Sequence, residues 1–132
     1  MDKALLSKIL VIDDDEQVLD VVKLALETYG YTAETASTAE EALNTFDYND
    51  FDLVLSDIKM PGMNGVQLAR KLIEEKYAGG IILMTGYPGE YNYTEVIETG
   101  IDAYLQKPFN IPVLINIVEQ VIRKKIGNRV RP

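Results

Sequence analysis

Three short stretches of this chain are apolar without alternation: Ile9-Leu10-Val11-Ile12, Leu53-Val54-Leu55 and Ile81-Ile82-Leu83-Met84. A strand with one face in water alternates polar and apolar residues. Unbroken runs belong instead to strands buried on both faces, the habit of a parallel sheet with helices on each side. Parallel neighbours need crossover connections, and the segments between the runs have the length and periodicity of helices.

Taken in order, the first strand ends in Asp13, Asp14 and Asp15. Val18, Val21, Val22, Ala25, Leu26 and Tyr29 then recur at helical spacing, and Gly30 suits the stop. Tyr31 to Ala36 is a more polar strand, as an edge strand would be, and Ser37-Thr38-Ala39-Glu40 matches a capping box opening a second helix to about Phe46. Ser56 and Asp57 sit at the carboxyl end of the third strand, and Pro61 and Gly62 break regular structure. Asn64 caps a third helix with Val66, Ala69 and Ile73 on one face. Gly79-Gly80 turns into the fourth strand, which ends at Thr85-Gly86. A loop follows, then a short helix stopped by Gly100, then a fifth strand, Ala103-Tyr104-Leu105, leading to Gln106-Lys107-Pro108. Asn110 caps the last helix, with Pro112 in its first turn and Leu114, Ile117, Val118, Val121 and Ile122 as its apolar stripe. The basic tail, residues 124–132, is expected to fray, as a solvating tail or the start of a linker.

Five strands alternating with five helices predict an α/β, doubly wound, parallel sheet covered on both faces. At this size the order 2-1-3-4-5 is the expected one, with its switch point between the first and third strands. These two strands carry Asp13, Asp14 and Asp57 at their carboxyl ends, so the order brings three carboxylates into one crevice. Close carboxylates repel, and the cluster needs a cation or raised pKa values. An all-oxygen ligand set suits a hard ion such as Mg2+, or Mn2+ in its place. Asp15 alone is explained by a helix start, where acids favour the dipole. Thr85 and Lys107 end the fourth and fifth strands. Singly, they are an ordinary loop hydroxyl and an ordinary solvated lysine. Together at the same sheet edge they suit the oxygens of a phosphoryl group. A carboxylate is a competent nucleophile towards phosphorus, and phosphoryl transfer needs placement and charge neutralisation more than acid–base groups.

Composition narrows the chemistry further. The 132 residues suit one domain over 1–132, with its core over about 8–125. There is no cysteine and no histidine, so thiol chemistry, disulfides and imidazole ligands are excluded. Thirteen Lys and Arg against 21 Asp and Glu leave a net charge of −8, which argues against direct nucleic-acid binding. No apolar run approaches the roughly 18 residues of a membrane span, and MDKALLSK lacks a signal core. The expectation is a soluble, cytoplasmic protein without membrane insertion.

Four segments carry a family resemblance. ILVIDDD, DLVLSDIKMPGMNG, ILMTG and AYLQKPF resemble, in order and at family spacing, the receiver domain of two-component response regulators, of the chemotaxis-regulator type with its flavodoxin-like fold. The likeness covers about Lys8 to Lys125. It implies that Asp57 is phosphorylated by a sensor histidine kinase or phosphotransfer protein. It also implies that Asp14, Asp57 and the Lys59 backbone carbonyl bind Mg2+ directly, with Asp13 acting largely through water. Thr85 and Lys107 would contact the phosphoryl oxygens, Thr85 and Tyr104 would form the switch, and Gly86 would leave room for the phosphoryl group. Lys107-Pro108 would be cis. Lys59 and Tyr87 would tune phosphoryl lifetime. The face of the fourth helix, fifth strand and fifth helix would change on phosphorylation and meet an output partner or a second copy. By its residues alone, Tyr104 is a core ring with a wet hydroxyl. Tyr87, Tyr91 and Tyr93 form either a partner surface or half-buried loop rings. Two other functions stay open: a magnesium phosphatase with an aspartyl nucleophile, against which Lys59 stands where a second acid is needed, and an interaction module independent of phosphorylation.

Overall fold

The unbroken apolar runs become the inner strands of a single sheet. The computed structural model describes residues 7–86 and 92–130. The strands are β1 (Lys8–Ile12), β2 (Thr32–Ala36), β3 (Leu53–Asp57), β4 (Gly80–Thr85) and β5 (Ala103–Gln106), all parallel in the order β2-β1-β3-β4-β5. The helices are α1 (Glu16–Thr28), α2 (Ala39–Thr45), α3 (Gly65–Glu74), α4 (Tyr93–Glu98) and α5 (Ile111–Val130), with a short 3-10 turn at Tyr48–Asp50. The expected fold is thus observed, with β2 and β5 at the edges and β3 central.

Successive residues of each strand enter two different cores. Ile9, Val11, Leu53, Leu55, Ile82 and Met84 pack with α1 and α5. Leu10, Ile12, Val54, Ile81 and Leu83 pack on the other face, with residues of α2, α3 and α4. This is why the runs show no alternation: both faces of the sheet are dry.

Local chemistry sets the helix ends. Asp15 caps α1, accepting from the Gln17 and Val18 amides. Asn64 and Gln67 form a reciprocal box at α3, and the Asn110 side chain accepts from the Val113 amide at 2.9 Å. Gly30 and Gly100 close α1 and α4 at φ +98° and +93°, a region costly to residues with a Cβ.

Some expectations shift. The α2 cap is Thr38, not Ser37; its hydroxyl accepts from the Glu41 amide at 3.0 Å. Glu41 rather than Glu40 turns back, accepting from the Ser37 hydroxyl at 2.6 Å. On α1, Val21 and Tyr29 face outward at 55% and 48% exposure, while Leu19 is in the core. On α3, Leu68 and Leu72 are the deep residues and Ile73 is partly exposed. The basic tail does not fray at Lys124: α5 continues to Val130, with Ile126 against the α1–α5 core and Lys125 Nζ 3.1 Å from Asp102 Oδ1. No described helix is long and apolar enough to cross a membrane.

Candidate functional site

The sheet register gathers the site. Ile12 is level with Ser56, Asp57 with Met84, and Thr85 with Gln106. The residues following β1 and β5, Asp13 and Lys107, therefore lie at the same edge of the sheet as Asp57 at the end of β3, and the Lys107 side chain spans the intervening β4 to reach it. Carboxylate oxygens of Asp13, Asp14 and Asp57 lie within 4.8 Å of one another. Together with Lys59, Met60, Pro61, Gly86 and Lys107 they line one crevice.

The three acids have unlike surroundings. Asp13 is fully buried; its Oδ1 accepts the Asp15 amide at 2.9 Å and its Oδ2 accepts Lys107 Nζ at 2.6 Å. Asp14 is exposed at the crevice rim. Asp57 has a side chain only 10% exposed, with Oδ1 accepting the Ile58 amide at 3.1 Å and lying 3.5 Å from Lys107 Nζ. Burial, then the charge of Asp13, pushes the Asp57 carboxyl from 3.8 up to about 6, against the opposing pull of Lys107. Burial works against the Lys107 ammonium, but the ion pair with Asp13 outweighs it and holds its pKa above the usual lysine value. Lys107 thus brings an ammonium into contact with both Asp13 and Asp57 at the floor of the crevice.

Thr85 lies opposite. Its side-chain hydroxyl is buried and has no hydrogen-bond partner among the described residues. Such a group is normally paired, and leaving it unpaired costs on the order of 1–3 kcal/mol. A Cβ placed on Gly86, the next residue, meets nothing within 4 Å among the described residues. The Lys107–Pro108 peptide is cis, which carries the chain from β5 to α5. Tyr104 is half-buried and packs against the α2–α3–α4 core. The Lys59 side chain is exposed at the crevice mouth.

Asp13, Asp14, Asp57, Lys59, Thr85 and Lys107 therefore stand at one edge of the sheet, and Tyr104 stands one core layer away from them. Tyr87 and Tyr91, and the side chain of Tyr93, lie outside what is described. The carboxylate set offers oxygen donors only, with Asp14 open to solvent, and fits a hard divalent cation. Sequence reasoning missed Glu40, whose carboxylate accepts the Met63 amide at 2.9 Å in the loop after Asp57. The available signal was the doubled acid Glu40-Glu41, where a cap needs one.

Comparison with known proteins places this geometry. The model of the response regulator receiver domain matches residues 9–119. The regulatory protein VanR of Enterococcus faecium is 36% identical over 117 residues, covering 89% of this chain and 50% of VanR. The transcriptional regulatory protein ResD of Bacillus subtilis is 33% identical over 124 residues, covering 94% of this chain and 51% of ResD. The chain thus spans about half the length of these curated relatives. A CheY-like receiver domain protein from Methanospirillum hungatei superposes with a TM-score of 0.86 at 35% identity, covering 93% of this chain and 98% of that one. By sequence and by fold, the chain belongs to the response regulator receiver domain family.

Proposed function

We propose that this receiver takes a phosphoryl group onto Asp57 from a phosphohistidine of a sensor kinase or phosphotransfer protein. The observation that carries the reading is the crevice: the buried Asp57 carboxylate and the Lys107 ammonium meet in it, and the neighbouring strand ends in the buried Thr85 hydroxyl, which has no hydrogen-bond partner among the described residues. The donor histidine comes from outside, because the chain has none.

Asp57 Oδ1 is held by the Ile58 amide, which orients the carboxylate on the tip of β3. A carboxylate oxygen attacks phosphorus, the bond from phosphorus to the imidazole nitrogen breaks, and the imidazole leaves with the electron pair. The product is an acyl phosphate. Asp14, Asp57 and the Lys59 carbonyl would hold Mg2+, with Asp13 behind them. The ion supplies charge neutralisation between the carboxylates and the incoming phosphoryl oxygens. Lys107 leaves part of its pairing with Asp13 to meet one phosphoryl oxygen. The Thr85 hydroxyl gains the partner it lacks by donating to another. Tyr104 packs one layer below, so a shift of Thr85 reaches the face of α4, β5 and α5. A change there biases one of two packings that already exist. Tuning of phosphoryl lifetime by Lys59 and Tyr87, output through that face, to a partner or a second copy, and a cytoplasmic setting belong to the same reading. The domain acts as a signalling acceptor rather than a turnover enzyme.

Incubation with a small phosphodonor and Mg2+ should add the mass of one phosphoryl group, and Asp57→Asn should abolish the addition. Equal labelling of the Asn variant would overturn the assignment.

A further inference from the structure

The loop between Asp57 and Asn64 has to hold the Lys59 carbonyl in place, yet its middle is exposed. Its ends are firmly set. The Gly65 amide donates to the Ile58 carbonyl at 2.8 Å, and Met60 is buried. A Cβ on Gly65 would come within 2.3 Å of the Asp57 carbonyl oxygen, so α3 starts directly against the acceptor's backbone. Between these anchors, a side chain from α2 reaches in. Glu40 does not close the α2 box, because Thr38 and Glu41 perform that task. Its Oε2 accepts the Met63 amide at 2.9 Å. The same carboxylate lies over Gly62: a Cβ there would meet Oε2 at 2.6 Å, Cδ at 3.1 Å and Oε1 at 3.2 Å. Gly62 has φ +72° and no side chain, and both properties admit the carboxylate. The Met63 amide holds the Glu40 carboxyl below the usual glutamate range.

We propose that Glu40 is a positioning residue for the acceptor site, fastening the Gly62-Met63 backbone so that the Lys59 carbonyl stays aligned with Asp57 for the cation. The proposal rests on the reading of Asp57 and Lys59 given above. Glu40 touches neither the cation site nor the phosphoryl group; it acts through the loop.

Charge and reach can be separated by three variants. Glu40→Gln keeps the reach and the acceptor oxygen but loses the charge. Glu40→Asp keeps the charge but is one methylene too short. Glu40→Ala loses both. Titration with Mg2+ alone, followed by the rate of labelling by a small phosphodonor, reads the outcome, with thermal melts confirming that each variant folds. We expect Glu40→Asp and Glu40→Ala to weaken Mg2+ binding by about tenfold, the low end of what outer-shell partners of a metal site contribute. Glu40→Gln should stay near wild type, and saturating Mg2+ should restore the labelling rate of all three. Equal weakening in Gln and Ala, with Asp unaffected, would assign the effect to charge and overturn the proposal. Unchanged Mg2+ affinity in Asp and Ala would overturn it too. Failure of the wild-type chain to bind Mg2+ or accept label would instead overturn the underlying reading of Asp57.

Discussion

At the scale of single residues, the site is held together at a cost to folding. The Asp57 carboxyl is raised to about 6 in the folded chain, against 3.8 for an ordinary aspartate. Between these two values the folded state binds more protons than the unfolded one, so stability falls as pH rises through the window and levels off above about 6. At about 1.4 kcal/mol per pH unit the ceiling is about 3 kcal/mol, and solvent at the crevice mouth reduces it to about 1–2 kcal/mol. Asp57→Asn should therefore be more stable than wild type by that amount at neutral pH without metal, with the gain vanishing below the unfolded pKa. Urea melts at several pH values check this; an Asn variant no more stable at neutral pH would refute the strained carboxylate. Thr85 makes a parallel case. Thr85→Val removes a buried hydroxyl that has no partner among the described residues and keeps the shape, so it should match or exceed wild-type stability, by up to about 1 kcal/mol. The same variant should lose phosphorylation-dependent change at the α4–β5–α5 face, read by amide chemical shifts.

Secondary-structure elements were legible in the sequence to the extent that one pattern decided them. The runs at β1, β3 and β4 read as buried strands, their alternation with helices implied a parallel sheet, and the strand order is the common one for a chain of this size. Helix faces were less legible. In α1, Val18, Leu19, Val21, Val22, Leu24, Ala25 and Leu26 cover too wide an arc for periodicity to pick the buried side, and Val21 was placed inward although it faces out. The α2 box slipped by one residue because Ser37-Thr38 and Glu40-Glu41 offer two equivalent frames. The strand ends singled out Asp13, Asp14, Asp57, Thr85 and Lys107 and the family motifs gave them roles, but neither showed that Lys107 pairs first with Asp13, because that contact joins residues far apart in sequence. The junction of β3 and α3 also predicts a mutation. Gly65→Ala drives a methyl into the Asp57 carbonyl and should cost about 1–3 kcal/mol, as overpacking does. Gly86→Ala, facing open space, should cost less in the same denaturation experiment.

For the molecule as a whole, the sheet divides the apolar interior into two cores that share strands but no side chains. Val22 lies in one and Val66 in the other, both buried. Each Val→Ala change should cost about 1.5–2.5 kcal/mol, at about 0.8 kcal/mol for each buried carbon removed plus the space left behind. Because the two sites have no common neighbour, the double variant should equal the sum within about 0.5 kcal/mol. A larger coupling would show that strain crosses the sheet. The partition also has a practical side. Substitutions under α1 and α5 should then need no compensating change under α2, α3 and α4, and the two layers can be redesigned one at a time, tied to each other through the shared strands whose tips carry Asp13, Asp57, Thr85 and Lys107.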